Sequence, residues 1–271
     1  MGKGHRTYDT QEEGIAILDK WCKLVYSVNN LYKENFYEES CIFMFILMYK
    51  KAFTLAEVLI TLAIIGVVAA LTIPAVVTKV TKDQYVVGLK KAYNTLKSVQ
   101  REAEQELGSM DNWTMTGNSE KTFEEYFKPY FDILKDCGFN AEEGCFGSKY
   151  TLLKGGDWNF NLNGQGLYKI VASDGISYAF TQTDGNDAGT ITSAVGMFIV
   201  DINGQKGPNK WGRDLFQFMV FPSSKLGIKP HASFKNHDEP YTSQEVISSC
   251  STTSWGDRCA ARVLSENAMN Y

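Results

Sequence analysis

Hydrophobic and polar positions divide the chain into three regimes. From Phe53 to Val77 the sequence is apolar on every face, twenty-five residues with a single ionisable side chain, Glu57. A membrane span needs about 20 such residues, and a buried soluble helix rarely stays apolar all round for so long. Beyond it the pattern becomes amphipathic. Tyr85, Leu89, Tyr93, Leu96, Val99, Ala103 and Leu107 recur at steps of three and four, with most of the Lys, Arg and Glu side chains elsewhere on the helix. Gly108 follows the last apolar position and reads as a stop. The expected element is one helix from Phe53 to Leu107, about 80 Å long at 1.5 Å per residue.

Past Gly108 the period changes again. Trp113 to Lys135 reads as a loop and a short helix carrying Phe123, Tyr126, Phe127, Tyr130 and Phe131. The alternation then falls toward two. Leu167–Ala172 and Ile176–Thr181 flank Ser173-Asp174-Gly175, a hairpin signal, and Val195–Ile202 and Leu215–Phe221 read as two further strands. The 164 residues from Gly108 to Tyr271 suffice for one core.

Composition changes this picture little. The 271 residues are 44% hydrophobic and 21% charged, with a net charge of −4. There is no basic footprint, so nucleic acid is not an expected partner. No G-x-S-x-G elbow, phosphate-binding glycine loop or H-E-x-x-H is present. His231 and His237 fall beside Asp238 and Glu239 in what reads as a solvated loop. Trp158, Phe160, Tyr168, Tyr178 and Phe180 sit at strand spacing and read as core.

The acid inside the apolar run carries the functional information. A carboxylate at mid-bilayer costs about 2.5–3.5 kcal/mol, less near the edge, and neither a plain anchor nor a cleaved signal peptide has a use for it. Lys50-Lys51-Ala52, followed by Phe53-Thr54-Leu55-Ala56-Glu57 and the apolar run, resembles the cleavage and methylation segment of type IV pilins and type II secretion pseudopilins. The resemblance implies an α+β, pilin-like fold in which the long helix, apolar in its first half, packs its second half on an antiparallel sheet. It implies cleavage by prepilin peptidase between Ala52 and Phe53, N-methylation of Phe53, and retention of the apolar helix. It also implies that Glu57 pairs with the terminal amine of a neighbouring subunit. A carboxylate in low dielectric seeks such a positive partner. Pro74 stands twenty-one residues after Phe53, where pilins often carry a helix-loosening proline, and Gly66 adds a second weak point.

Two features depart from the family. Alanine stands at position 52, where glycine is usual, and the segment 1–47 holds five Lys or Arg against seven Asp or Glu, unlike a short basic leader. Residues 48–52 alone form a leader of the expected size, so translation is expected to begin at Met48, with 1–47 an extension. The alternative is a genuine long leader or regulatory segment with a helix over Gly14–Tyr32.

Between the last two strands lies DINGQKGPNKWGRD, Asp201 to Asp214. Asp201, Asn203 and Asp214 offer hard oxygen ligands of the kind calcium takes, although the spacing is not that of an EF-hand. A polar turn closed by an Asx motif is the competing reading. Some major pseudopilins hold calcium in a head loop, and Val200–Phe216 resembles pseudopilin loops.

Cys22 and Cys41 lie in the upstream segment, whereas Cys137, Cys145, Cys250 and Cys259 lie in the head. Four exported cysteines allow three pairings. The local ones, Cys137 with Cys145 and Cys250 with Cys259, are expected because each closes a short loop. The second also matches a loop that many pilins close near the carboxyl end.

The expected protein is a filament subunit. It sits in the bacterial inner membrane by a single pass with its head outside the cytoplasm, and partners with prepilin peptidase, an assembly platform, membrane lipid and other pilin subunits. A monomeric anchored or secreted binding or enzymatic domain is the alternative.

Overall fold

The structure is a computed structural model that describes residues 54–115, 118–140, 144–164, 166–182, 195–221, 226–231 and 241–271. Helix α1 spans Leu55–Leu107. The chain divides into two compact units at Ile73/Pro74.

In the first unit the described residues are the apolar start of α1. Every side chain from Thr54 to Ile73 is exposed except the half-buried Ala69, including Leu59, Ile60, Leu62, Ile64, Ile65 and Leu71. An 18-residue window of the helix reaches a mean hydropathy of 2.6, enough by length and composition to cross a membrane. Its hydroxyls are internally satisfied: Thr61 Oγ1 donates to Val58 O and Thr72 Oγ1 to Val68 O. Such back-bonding suits a solvent without water.

In the second unit the amphipathic half of α1 buries Val86, Leu89, Ala92, Leu96, Val99 and Ala103. This stripe is shifted slightly from the one the sequence suggests. Val86 and Ala92 occupy its centre, Tyr85 and Tyr93 flank it half-buried, and Leu107 is exposed. The reason is steric: small side chains at the centre let the helix approach the sheet, and the tyrosines keep their hydroxyls at the rim.

The head begins with a 3-10 turn, Met110–Asn112, and helix α2, Ser119–Tyr126, capped by Asn118 Oδ1 accepting from Lys121 N at 2.9 Å. A second 3-10 turn covers Lys128–Tyr130. Then follow strands β1 (Ile133–Gly138), β2 (Tyr150–Thr151), β3 (Asp157–Trp158), β4 (Tyr168–Ala172), β5 (Ser177–Gln182), β6 (Gly196–Asp201), β7 (Leu215–Val220) and β8 (Ile228–Pro230). Helices α3 (Ser243–Ser249) and α4 (Cys259–Glu266) close the chain. The main sheet is antiparallel in the order β1-β4-β5-β6-β7-β8, and β2 and β3 form a separate ribbon. The β4–β5 hairpin turns at Gly175, whose φ of 81° suits glycine, and Asp174 Oδ1 accepts from Ile176 N.

Strand alternation gives the sheet two buried faces. One presents Tyr168, Ile170, Tyr178, Phe180, Phe198, Val200, Phe216 and Phe218 to α1 and α2. The other presents Leu167, Ala179, Ile199 and Leu215 to the irregular stretch 144–164 and Trp211. Lys169 is fully buried on this second face, where its ammonium donates to Asn140 O at 2.6 Å, Gly164 O at 2.8 Å and Leu167 O at 3.1 Å. Those carbonyls replace its hydration and pin the covering loop.

The structure joins Cys137 to Cys145, tying the end of β1 to that loop, and Cys250 to Cys259, tying α3 to α4. A Cys250→Ser/Cys259→Ser chain is expected to lose about 2–3 kcal/mol of stability, measured by urea denaturation of detergent-solubilised protein.

His231 departs from the sequence reading. It is buried beyond β8, with its N–H donating to Gln217 O at 3.0 Å and Nδ1 lying 3.6 Å from Asp257 Oδ2. Burial pushes its pKa down to about 4, with the Asp257 carboxylate opposing. Because the folded value lies below the unfolded one, the unfolded state binds more protons at acid pH. This contribution is complete above about pH 6.5 and is lost as pH falls toward about 4. A His231→Gln chain should show a shallower loss of thermal stability across that window.

Candidate functional site

Two regions carry chemistry. The first is the start of α1. Thr54 is the residue before the helix, and its Oγ1 accepts from Glu57 N at 3.2 Å. Glu57 Oε2 returns the contact, accepting from Thr54 N at 2.8 Å and from Thr54 Oγ1 at 2.9 Å. This is a capping box, with two helix-terminal donors satisfied reciprocally. Within one chain the Glu57 carboxylate is therefore held by its own helix end while remaining exposed. Thr54 stands in the motif as part of the segment before Glu57, and Thr-x-x-Glu ahead of an apolar run is the signature of its capping role.

Gly66 and Pro74 lie on the same helix. A Cβ built at Gly66 would meet nothing within 4 Å among the described residues. Pro74 has no N–H to donate back along the helix, and its own carbonyl accepts from Thr78 Oγ1 at 2.8 Å. Ala52, Phe53, Cys22, Cys41, His237 and the segment 1–47 lie outside the described residues.

The second region is the turn from Asp201, the last residue of β6, to Asp214, which precedes β7. Both acids are fully buried. Asp201 Oδ2 accepts from Tyr150 Oη at 2.6 Å and Oδ1 from Asn203 N at 3.2 Å, the Asx contact of a polar turn. Asp214 accepts from Asn209 N at 2.8 Å and from Lys210 N at 2.6 Å. Burial, then the facing Asp214 carboxylate, pushes Asp201 well above the usual carboxylate range. Burial also raises Asp214, while the Lys210 and Asn209 N–H groups and the Asn203 amide pull it back. Asn203 Nδ2 donates to Gly207 O at 3.2 Å. Asn209 adopts φ 51°, a left-handed turn conformation that asparagine tolerates. Asn203 Oδ1 and Asn209 Oδ1 are both closed to solvent and, among the described residues, accept no hydrogen bond. Among the described residues, no group of three or more His, Cys, Asp or Glu side chains is placed to hold a metal.

Comparison with known proteins bears on the first region. Residues 47–73 match the prokaryotic N-terminal methylation motif. No curated protein matches the chain, and no solved structure does. The match spans the dibasic stretch, Ala52, Phe53, the capping box and Gly66, and it ends one residue before Pro74. It implies processing by prepilin peptidase and assembly with other pilin subunits, and the apolar helix fits a single-pass inner-membrane anchor with the head outside. The motif points to a structural subunit, and residues 47–73 carry the prepilin-type cleavage and methylation segment found in pilins and pseudopilins, on a chain that joins a long apolar helix to an antiparallel sheet.

Proposed function

We propose that the chain is a subunit of a type II secretion pseudopilus, or of a related type IV pilus-like filament, that polymerises through the apolar half of α1. The observation that carries this reading is the exposed apolar surface from Leu55 to Ile73 with an acid at its entrance, lying inside the methylation motif. A helix that meets only lipid or other helices can exchange one for the other at little cost in hydrophobic energy. Register must then come from a polar contact, and Glu57 is the ionisable group in the run. Prepilin peptidase cuts between Ala52 and Phe53, Phe53 becomes an N-methylated terminus, and the Glu57 carboxylate leaves its own cap to meet the amine of the next subunit. Gly66 offers a flat helix surface for close approach, and Pro74 a place where the helix yields during packing.

The resemblance of Val200–Phe216 to pseudopilin loops favours the secretion assignment. The test is deletion in the native bacterium with fractionation of sheared surface material. A secretion pseudopilin stays with the cell envelope, and its deletion stops export of a folded enzyme. Recovery of the subunit in sheared surface fibres, with export unchanged, would overturn the secretion assignment and leave a pilus.

A further inference from the structure

On the second face of the sheet one side-chain amide meets two sulfurs. Met197 on β6 and Met219 on β7 stand directly opposite each other, and Gln217 lies two residues from Met219 on the same face. Gln217 Nε2 donates to Met197 Sδ at 3.1 Å and to Met219 Sδ at 3.5 Å. A thioether is a weak acceptor, so this half-buried amide spends its donors on poor partners. The two sulfur side chains differ in access. Met219 is 8% exposed and packs with Phe221 and Leu226, whereas Met197 is half-buried at the margin of that cluster. Oxidation of a packed methionine to its sulfoxide ordinarily disrupts a core, because it makes a flexible apolar side chain polar. Here a donor for the new oxygen is already in place.

We propose that Met197 is a site of oxidative modification by peroxides, and that Gln217 holds the resulting sulfoxide within the folded head. A lone pair on Met197 Sδ attacks one oxygen of hydrogen peroxide and the O–O bond breaks. The proton on the transferred oxygen passes to the departing hydroxide, which leaves as water. Sulfur is thereby oxidised by two electrons and the peroxide reduced by two. Rotation about the Met197 Cγ–Sδ bond then turns the new oxygen toward Gln217 Nε2, which exchanges a weak acceptor for a strong one. Met219 shares the same amide but is shielded by its packing, so the modification is confined to Met197. The inference is independent of the filament reading.

The test exposes the full chain in detergent to graded hydrogen peroxide, follows each methionine by peptide mass spectrometry, and reads thermal unfolding on the same samples. Met197 should oxidise about tenfold faster than Met219, and than Met110 and Met269, which are 1% and 4% exposed. Its oxidation should lower the wild-type Tm by less than about 2 °C, whereas Gln217→Leu should lose about 5 °C or more on the same treatment, because its sulfoxide has no donor. Met197→Leu should show no Tm change at that peroxide dose. The wild-type readings decide the matter whether or not Gln217→Leu folds. Oxidation of Met197 no faster than that of Met110 would overturn the proposal, as would a wild-type Tm that falls by about 5 °C or more once Met197 is oxidised. An equal loss in wild type and Gln217→Leu would overturn the role of the amide.

Discussion

A Glu57→Leu subunit is expected to insert into the inner membrane, undergo cleavage, and fail to enter filaments. Leucine suits the apolar helix, so nothing in the isolated chain opposes insertion. In the proposed assembly, however, the change would leave the methylated amine of a neighbour buried without its partner. Removing one member of a buried pair costs about 3–5 kcal/mol, and at 1.4 kcal/mol per decade that exceeds a hundredfold at every subunit added. The capping box allows the charge to be separated from the helix end. Glu57→Gln preserves an acceptor for the Thr54 donors and loses the charge, so it should also fail to assemble. Thr54→Ala removes the cap, costs about 1 kcal/mol, and should still assemble. Quantifying each subunit in membrane and filament fractions checks all three. Normal assembly of Glu57→Leu would contradict the pairing of Glu57 with the amine of a neighbouring subunit.

Phe123→Ala should be the most damaging single truncation in the head, at about 3–5 kcal/mol. Phe123 is fully buried on α2, stacks on Tyr168 at 4.5 Å between centroids, and lies within 6.4 Å of Phe127, Phe131, Phe180 and Phe198. It thus joins the helix to β4, β5 and β6 at one point. Rings this tightly interlocked do not collapse into a vacated volume, so the cavity remains. Urea denaturation of wild type and variant measures the loss. A change below about 1 kcal/mol would show that the aromatic cluster rearranges freely.

What the sequence reveals of this fold follows from how strongly burial constrains each element. The apolar run, the amphipathic helix and strands β4 to β7 are legible because each has a face or a whole surface that excludes polar residues. The β4–β5 turn is legible because Asp174 and Gly175 have backbone reasons to be there. Strand β1 is not, since three consecutive residues, Leu134 to Asp136, are exposed and only Cys137 is buried. Strand β8 is three residues long and ends in Pro230, and β2 and β3 are two-residue pieces whose pairing depends on distant loops. Helices α3 and α4 begin among serines, threonines and a disulfide, where periodicity is too short to register. His231 was hidden for a related reason, since its burial comes from packing near Asp257 and not from its neighbours in sequence. In the β6–β7 turn the acids and asparagines are conspicuous, but the burial of Asp201 and Asp214 is not, because it comes from packing against Tyr150 and the turn's own backbone.

The start of the mature chain is the most direct test of filament assembly through α1. Intact and peptide mass spectrometry of protein recovered from native bacterial membranes should find N-methylated Phe53 as the first residue, leaving 271 − 52 = 219 residues. A chain that begins at Met1 or Met48, or one cut after the apolar run near Ala70, would contradict peptidase processing and the filament reading with it.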